Sequence, residues 1–293
     1  MAFDNGVPIH RRELSREYKC EKKPTGEVSD LILSSMNKEK LEFSEDKKAF
    51  LEQYELVVNI LNSMVLPLVG CISVKVRNCE ADDIIAYCCK EFSEGEELTI
   101  ISTDEDLWQL INDNVEVYQP LKKEFYSLLE MEEKGYNPNF FKLHYLLSKA
   151  IIGDKSDNIE GITGISKKNA IPYGSQLVNL IEEGKTLDEA LPLLKRNFRG
   201  SQKALDSLKE SPELIKRNFN LMDLGYTEKA SPELVSKIRR SLLFFLKVSI
   251  DYNKACSKLS ELEIPYSEYT GFLGTILDCN VRGNKKELLE KLV

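Results

Sequence analysis

Two short apolar segments, each followed by acids and then by a helical pattern, constrain the fold of this chain most. Residues 71–77 and 98–102 have the length and β-branched content of strands. Helical patterns at 81–92 and 105–111 and a short strand at 115–118 continue the alternation, which predicts a parallel α/β sheet. The acids after the strands are Glu80, Asp82 and Asp83, then Asp104, Glu105 and Asp106. Because parallel sheets bind ligands at the carboxyl ends of their strands, these acids are expected to converge on one crevice.

From about residue 139 the strand signal fades and helical patterns predominate. They lie at 140–152, 175–183, 187–198, 213–221 and 233–259. We therefore predict an α/β domain at 1–138 and a helical region at 139–293. Within the first domain, the segment 19–69 contains a further helix, from about 44 to 64, whose apolar spacing favours packing over a cofactor site.

Charge and hydropathy limit the classes of function. The chain has 293 residues and a formal net charge of −8, from 40 Lys and Arg against 48 Asp and Glu. Such a balance normally opposes a polyanionic partner, because nucleic-acid affinity comes from Lys and Arg, but the outcome depends on where the acids lie. There is no apolar run of the roughly 20 residues that span a membrane. The N-terminus has no secretory pattern, so we expect a soluble, cytoplasmic protein without a membrane partner.

Cysteine and histidine offer little chemistry. The seven cysteines are scattered without a CxxC pair, which indicates structural thiols in a reducing compartment. His10 and His144 are too few and too far apart for a histidine metal site or an obvious triad. If the chain is an enzyme, its chemistry must depend on carboxylates and lysines.

A third acidic group, at 153–158, contains Asp154 and Asp157 and precedes the segment Gly161-Ile162-Thr163-Gly164-Ile165. Taken alone these acids are typical of a solvated turn, just as the earlier two groups are typical of helix capping. Two glycines three apart, each followed by Ile and then by basic residues, form a helix-hairpin-helix signature. There the glycines let backbone amides approach a phosphate, and the isoleucines fix the hairpin to the core.

The three acidic groups together indicate metal ions. Repelling carboxylates are costly to gather unless cations neutralise them. Oxygen ligands without His or Cys select Mg²⁺ or Mn²⁺ rather than zinc. Two such ions about 4 Å apart are a common device for hydrolysing phosphodiesters. The sequence therefore predicts a metal-dependent nuclease.

The order of the motifs resembles the flap endonuclease and 5′-3′ exonuclease family, which includes phage RNase H and the 5′ nuclease domain of bacterial DNA polymerase I. The motifs span residues 4 to about 168 and comprise Asp4, Arg11-Arg12-Glu13, Tyr18-Lys19, the three acidic groups and the hairpin. The resemblance implies a PIN-like parallel-sheet nuclease domain with a helical arch at about 19–69. It also implies a helix-hairpin-helix at about 140–185 that holds duplex DNA.

The resemblance further implies two Mg²⁺ ions, for which Mn²⁺ substitutes. The carboxylates matched to these ions are Asp4, Glu80, Asp82, Asp83, Asp104, Asp106, Asp154 and Asp157. Lys19 and Lys149 match catalytic lysines that offset charge on the scissile phosphate, and Asp104 serves both metals. The alternative is that both lysines are simply solvated.

A further set of residues is matched to DNA: Tyr18, Lys22, Gly161, Gly164, Ser166, Lys167 and Lys168. Tyr18 corresponds to an aromatic residue that stacks on a base. The resemblance also implies a K⁺ ion at the helix-hairpin-helix. The basic run 195–203 either extends the duplex track or forms a solvated helix face. Two positions depart from the pattern, since Ser166 replaces a third hairpin glycine and Lys22 replaces an arginine with its bidentate fork.

The family pattern also has a first strand with its own metal-binding Asp, several tens of residues before the position of Asp4. That strand is not among the residues of this sequence, which starts at Met1. Four alternatives explain this: the strand belongs to a separate polypeptide, it is encoded upstream, the start was misassigned, or the protein is a degenerate relative. One ligand fewer would weaken or misplace the first metal.

Three hypotheses stay open. The first is a Mg²⁺-dependent 5′ nuclease acting on 5′ flaps or 5′ ends of DNA, or on RNA–DNA hybrids, during replication or repair in a bacterial or phage-infected cell. The second is a non-catalytic, structure-specific DNA-binding protein. The third is another α/β hydrolase of phosphate esters, against which the hairpin argues. The net charge does not exclude DNA, because it equals the eight acids of the predicted metal site.

Overall fold

The structure is a computed structural model that describes residues 1–19, 49, 56, 72–196, 201–246 and 251–261. The described residues fall into two compact units, each considered by itself. The larger unit contains residues 2–19, 75–196 and 201–238. The smaller unit contains the helix Tyr252–Glu261, in which Lys258 pairs with Glu261 at 2.5 Å.

Parallel strands β3 and β4 form the centre of the α/β part. Leu98 lies opposite Val115 in this pair, and the short strand β5 lies antiparallel to β4. The two-residue strands β1 and β2 form a separate sheet. In chain order the elements are β1 (Ala2–Phe3), α1 (Ile9–Leu14), β2 (Val74–Lys75), α2 (Ala81–Phe92), β3 (Leu98–Ile101), a 3₁₀ helix (Glu105–Leu110), β4 (Val115–Gln119), β5 (Glu124–Tyr126) and α3 (Leu128–Glu133). The predicted α/β fold with a parallel pair is confirmed.

The described residues of the second half are mostly helical, as predicted. After a 3₁₀ turn at Pro138–Phe140, the elements are α4 (Phe141–Ile152), α5 (Lys167–Glu182), α6 (Leu187–Ala190), a 3₁₀ turn (Leu191–Leu193), α7 (Gln202–Lys209), α8 (Pro212–Met222), α9 (Tyr226–Ala230), α10 (Pro232–Leu246) and α11 (Tyr252–Glu261). None of the described helices is long and apolar enough to cross a membrane. Residues on both sides of position 139 belong to the larger unit, so contacts continue across the predicted boundary.

Some element predictions need correction. Of the strand predicted at 71–77, residues 72–77 are described, and only Val74–Lys75 form a strand there. The helix predicted at 105–111 is a 3₁₀ helix, in which the amide of Ile111 closes the last turn on the carbonyl of Trp108 at 3.0 Å. Predictions for the helical arch at 19–69 and for the helix at 44–64 lie almost wholly outside the described residues.

Helix α4 contributes to three apolar clusters within the larger unit, one of which contains Leu146 together with Tyr18. At its N-terminal end, Phe141 packs against Tyr145, and Tyr145 packs against Trp108 of the 3₁₀ helix, in a cluster that includes residues of β3 and β4. At its C-terminal end, Ala150 and Ile151 join a cluster with residues of α5 and α7. The helix therefore connects the sheet to the helical half.

The hairpin between α4 and α5 is held against the end of α4 by close backbone contact. The amide of Ile162 donates to the carbonyl of Ile151 at 2.8 Å, and both Ile162 and Ile165 are buried. A Cβ atom at Gly161 would lie only 1.8 Å from the carbonyl oxygen of Ile152. The absence of a side chain at Gly161 is therefore required by packing within the protein, independently of any phosphate.

We predict that Gly161→Ala destabilises the protein by about 3 kcal/mol or more, because neither backbone can move away without breaking the contact. Gly184→Ala is the matched control. Gly184 has a positive φ of 87° but open space around it, so only about 1 kcal/mol of backbone strain is expected there. Chemical denaturation measures both free energies of unfolding, and equal losses would contradict the packing role.

Candidate active site

The three acidic groups meet at a small polar cavity of about 90 Å³. Its carboxylates are Glu80, Asp82, Asp104, Asp106, Asp154 and Asp157, and its other polar side chains are Arg11, Tyr18, Lys19 and Ser156. A larger cavity of about 680 Å³ lies elsewhere, along Phe140 and Phe141. We take the small cavity as the candidate site, because six converging carboxylates indicate a chemical function, whereas a large volume alone does not.

Local capping chemistry positions these acids. Glu80 is the N-cap of α2 and forms a capping box with Asp83. Asp104 caps the 3₁₀ helix by accepting from the amide of Asp106 at 2.8 Å. Asp154 accepts from the amide of Ser156 at 2.9 Å and closes a turn through two backbone hydrogen bonds with Ile159. Capping and cavity lining are therefore not alternatives, since Glu80 and Asp104 do both.

Two lysines each pair with carboxylates of the cavity. Lys19 Nζ forms an ion pair with Glu80 and lies 3.7 Å from Asp157 Oδ2. Lys149 Nζ forms an ion pair with Asp106 and lies 3.5 Å from Asp154 Oδ2. The side chain of Lys149 is only 17% exposed. Both lysines are thus paired with carboxylates of the cavity, although Lys19 is exposed to solvent.

Negative charge nevertheless remains in excess. In the part of the chain that the structure describes, neither Asp82 nor Asp104 has an ion pair with Lys or Arg. Burial, together with repulsion from Asp104, raises the pKa of Asp82 to about 7. Burial also raises the pKa of Asp106 and of Asp157. For Asp154 burial alone would raise the pKa, but hydrogen bonds from Ser156 and attraction to Lys149 lower it.

The donor chemistry of this cavity fits hard divalent cations. All the acids offer oxygen, and the repulsion between Asp82 and Asp104, which adds to the effect of burial in raising the pKa of Asp82, would be relieved by added positive charge. Among the described residues, no group of three or more His, Cys, Asp or Glu side chains lies close enough to hold a metal ion. The ammonium groups of Lys19 and Lys149 occupy positions beside carboxylates in this arrangement.

A buried arginine, which the sequence interpretation left without a role, fixes one wall of the cavity. Arg11 is 2% exposed; its Nη1 donates to Glu80, and its Nη2 lies 2.6 Å from Asp83 Oδ1. The Arg11-Arg12-Glu13 motif was a signal that could have indicated this residue. Thr227 Oγ1 also donates to Asp83 Oδ1, at 2.7 Å, and no sequence pattern marks it.

Three predicted residues have surroundings that do not suit the roles assigned to them. Asp83 is 3% exposed and does not line the cavity, because its oxygens accept from Arg11 and Thr227; it serves the arginine rather than a cation. Asp4 is exposed, also lies outside the cavity lining, and accepts from the amide of Ala81 at 2.7 Å. Tyr18 is 5% exposed with its hydroxyl 3.3 Å from Glu80 Oε2, so its ring offers no face to a base.

Five of the seven residues predicted to bind DNA belong to the hairpin and the start of α5. Gly164, Ser166, Lys167 and Lys168 are exposed there, and Gly164 has a φ of 88°. Lys167 Nζ pairs with Glu105 at 2.6 Å and lies over the ring of Trp108. Lys168 has no ion pair with any described residue. Lys22 and residues 197–200 of the basic run lie outside the described residues, whereas Lys195 and Arg196 are exposed.

Comparison with known proteins agrees with the sequence and the fold. A family model described as "5′-3′ exonuclease, N-terminal resolvase-like domain" matches residues 1–137. The chain is 32% identical over 206 residues to a 5′-3′ exonuclease of Aquifex aeolicus, a match that covers 68% of this chain. The chain spans only 61% of the length of that relative.

Solved structures of bacteriophage T5 proteins are similar in fold. The T5 5′-exonuclease with bound divalent zinc ions aligns with a TM-score of 0.59 at 26% identity, covering 84% of this chain and 82% of that one. A T5 flap endonuclease variant in a pseudo-enzyme–product complex with DNA and metal ions aligns with a TM-score of 0.58 at 26% identity, covering 83% of this chain and 81% of that one.

We predict that Asp82→Asn stabilises the metal-free protein at pH 8. Folding raises the pKa of Asp82 from about 3.9 to about 7, so the folded state loses stability relative to the unfolded chain as pH rises through this window. Thermal unfolding in EDTA should show a higher Tm for the variant at pH 8 and a smaller difference at pH 4.5. Asp113→Asn, at an exposed acid outside this cavity, should leave both values unchanged. A pH-independent difference would contradict the assigned cause.

Proposed function

We infer that this chain, whose residues 1–137 match the model of the 5′-3′ exonuclease N-terminal resolvase-like domain, is a structure-specific 5′ nuclease that hydrolyses phosphodiester bonds. The observation that supports this most directly is the cavity of about 90 Å³, which six carboxylates and Lys19 line and whose Asp106 forms an ion pair with Lys149. The reaction serves DNA replication or repair in the cytoplasm of a bacterial or phage-infected cell.

The carboxylates that line the cavity would hold the cations, two Mg²⁺ ions that Mn²⁺ can replace. Asp82 and Asp104 are the first candidates, because neither has a lysine or arginine partner among the described residues. Asp106, Asp154, Asp157 and Glu80 complete the set that lines the cavity. Bound divalent cations supply positive charge that stabilises a phosphate under attack.

The two lysines act on the same phosphate. In the free protein, Lys19 and Lys149 neutralise Glu80 and Asp106. With cations held by the carboxylates, both ammonium groups would be available to the phosphodiester, where fixed positive charge stabilises the charge that develops during phosphoryl transfer. Their raised pKa values keep both lysines protonated at neutral pH.

The substrate is DNA with a 5′ flap or 5′ end, with RNA–DNA hybrids as a second class. Duplex DNA would lie along the hairpin, where Lys168 and the exposed backbone around Gly164 face solvent. A K⁺ ion at the hairpin would complete the contact with the phosphate backbone. DNA is bound by the similar T5 flap endonuclease variant, which supports this assignment.

We predict that the full chain cleaves a 5′-labelled flap substrate in Mg²⁺, and that Asp104→Ala or Asp154→Ala slows cleavage by roughly 100-fold or more. Each variant removes one charged ligand without emptying the apolar core. Asp113→Ala is the matched control at an exposed acid outside this cavity and should retain full activity. Unchanged cleavage by Asp104→Ala would contradict the metal assignment.

The second candidate function is structure-specific DNA binding without cleavage. It is favoured by one observation: the described acids do not come close enough, three or more together, to hold an ion. The same flap experiment separates the candidates, since binding without cleavage at any Mg²⁺ or Mn²⁺ concentration supports the second function.

We predict that Lys168→Ala weakens DNA binding. The slope of log binding constant against log salt concentration should fall in magnitude by about 1, the loss of one phosphate contact. Glu105→Gln should strengthen binding, because it releases Lys167 from its ion pair. Lys237→Ala removes an exposed lysine of α10 as the charge-matched control and should change neither quantity. Fluorescence anisotropy across a salt series in EDTA measures all three variants. Identical salt slopes for Lys168→Ala and the control would exclude the hairpin as the duplex contact.

A further inference from the structure

A series of buried hydrogen bonds leads from helix α9 to the candidate active site. Thr227 is 4% exposed, and its hydroxyl donates to Asp83 Oδ1 at 2.7 Å. The same carboxylate accepts from Arg11 Nη2 at 2.6 Å and from Arg11 Nη1 at 3.0 Å. Arg11 Nη1 then donates to Glu80, which lines the cavity.

The geometry leaves the Thr227 hydroxyl little freedom. Its single proton is directed at Asp83, so it can only accept from its other neighbours. These are His10 Nε2 at 3.3 Å and Arg11 Nη2 at 3.5 Å, both on α1. Thr227 is thus the point at which a residue of the helical half meets both α1 and the start of α2.

A second contact ties the same part of the chain to another acidic group. Gln109 is 2% exposed and donates to the carbonyls of Asp106 and Met222, at 2.9 and 3.0 Å. Its Oε1 accepts from the amide of Leu224 at 2.9 Å. Leu221, Met222 and Leu224 also form part of the cavity wall. The segment 221–227 is therefore held at one end to the Asp106 group and at the other to the Glu80 group.

We propose that Thr227 is a positioning residue for the active site, which holds Glu80 in place through Asp83 and Arg11. The inference depends on the proposed metal-dependent nuclease, because it assigns Thr227 a role in cation affinity. Thr227 lies outside residues 1–137, so the positioning comes from the helical half of the chain. Partners that orient metal ligands typically affect metal affinity by 10–100-fold when they are removed.

The test compares three variants of the full chain. Thr227→Val removes the hydroxyl and keeps the shape, whereas Thr227→Ser keeps the hydroxyl. Thr99→Val is the matched control, because Thr99 also donates to a carboxylate, Glu116 at 2.8 Å, but on the exposed side of the sheet. Mn²⁺ binding is measured without DNA, from the loss of the free-ion EPR signal, and Mg²⁺ half-saturation is measured in flap cleavage.

Thr227→Val is expected to weaken Mn²⁺ binding about tenfold and to raise the Mg²⁺ concentration for half-maximal cleavage by a similar factor, with DNA affinity in EDTA unchanged. Thr227→Ser and Thr99→Val should stay within about twofold of the wild type. If Thr227→Val fails to fold, Thr227→Cys retains a weak donor of similar size and should show an intermediate loss.

Wild-type Mn²⁺ affinity in Thr227→Val, or in Thr227→Cys where that variant is needed, overturns the positioning role and leaves the nuclease proposal standing. An equal loss in Thr227→Val and Thr227→Ser also overturns it, because the hydroxyl would then be irrelevant. A wild-type chain that neither binds Mn²⁺ nor cuts the flap refutes the nuclease proposal, and the inference with it.

Discussion

The buried guanidinium of Arg11 is the interaction on which the candidate site depends. A charge that is 2% exposed is tolerated only when it is paired and its hydrogen-bonding capacity is largely used. Glu80 and Asp83 supply that pairing from the first turn of α2, and Thr227 adds a contact from α9. Removing either carboxylate would take away one of the two partners of this buried charge, so α1, α2 and the cavity wall depend on one another.

Some acids of the cavity have two structural roles. The acids that follow each strand cap the next helix and face the cavity with the same carboxylates, as Glu80 and Asp104 show. A cap needs a side-chain oxygen close to free backbone amides, and a cation site needs oxygens close to each other. Both conditions are met at the carboxyl ends of parallel strands, where helix N-termini lie side by side.

The sequence predicted those parts of the fold that depend on local patterns. Strands β3 and β4, helix α2 and the burial of the hairpin isoleucines all follow from periodicity and turn chemistry. The convergence of the first two acidic groups was expected from their positions after strands, whereas Asp154 and Asp157 follow helix α4. Partners distant in sequence were not predictable: Thr227 contacts Asp83 across 144 positions, and Arg11 reaches Asp83 across 72. Asp83 therefore looked identical to Asp82 in sequence, although a buried arginine occupies its oxygens.

The close contact between Gly161 and the end of α4 affects how genetic data on this protein should be interpreted. Asp154 and Lys149 lie at the same end of α4, so a side chain forced in at Gly161 would displace the carboxylate and the ammonium group together. A screen for lost activity would then recover glycine substitutions alongside aspartate substitutions. The two kinds of substitution are distinguished by measuring the folded fraction of each purified variant. A glycine substitution would lower that fraction, whereas loss of an aspartate side chain would leave it largely unchanged.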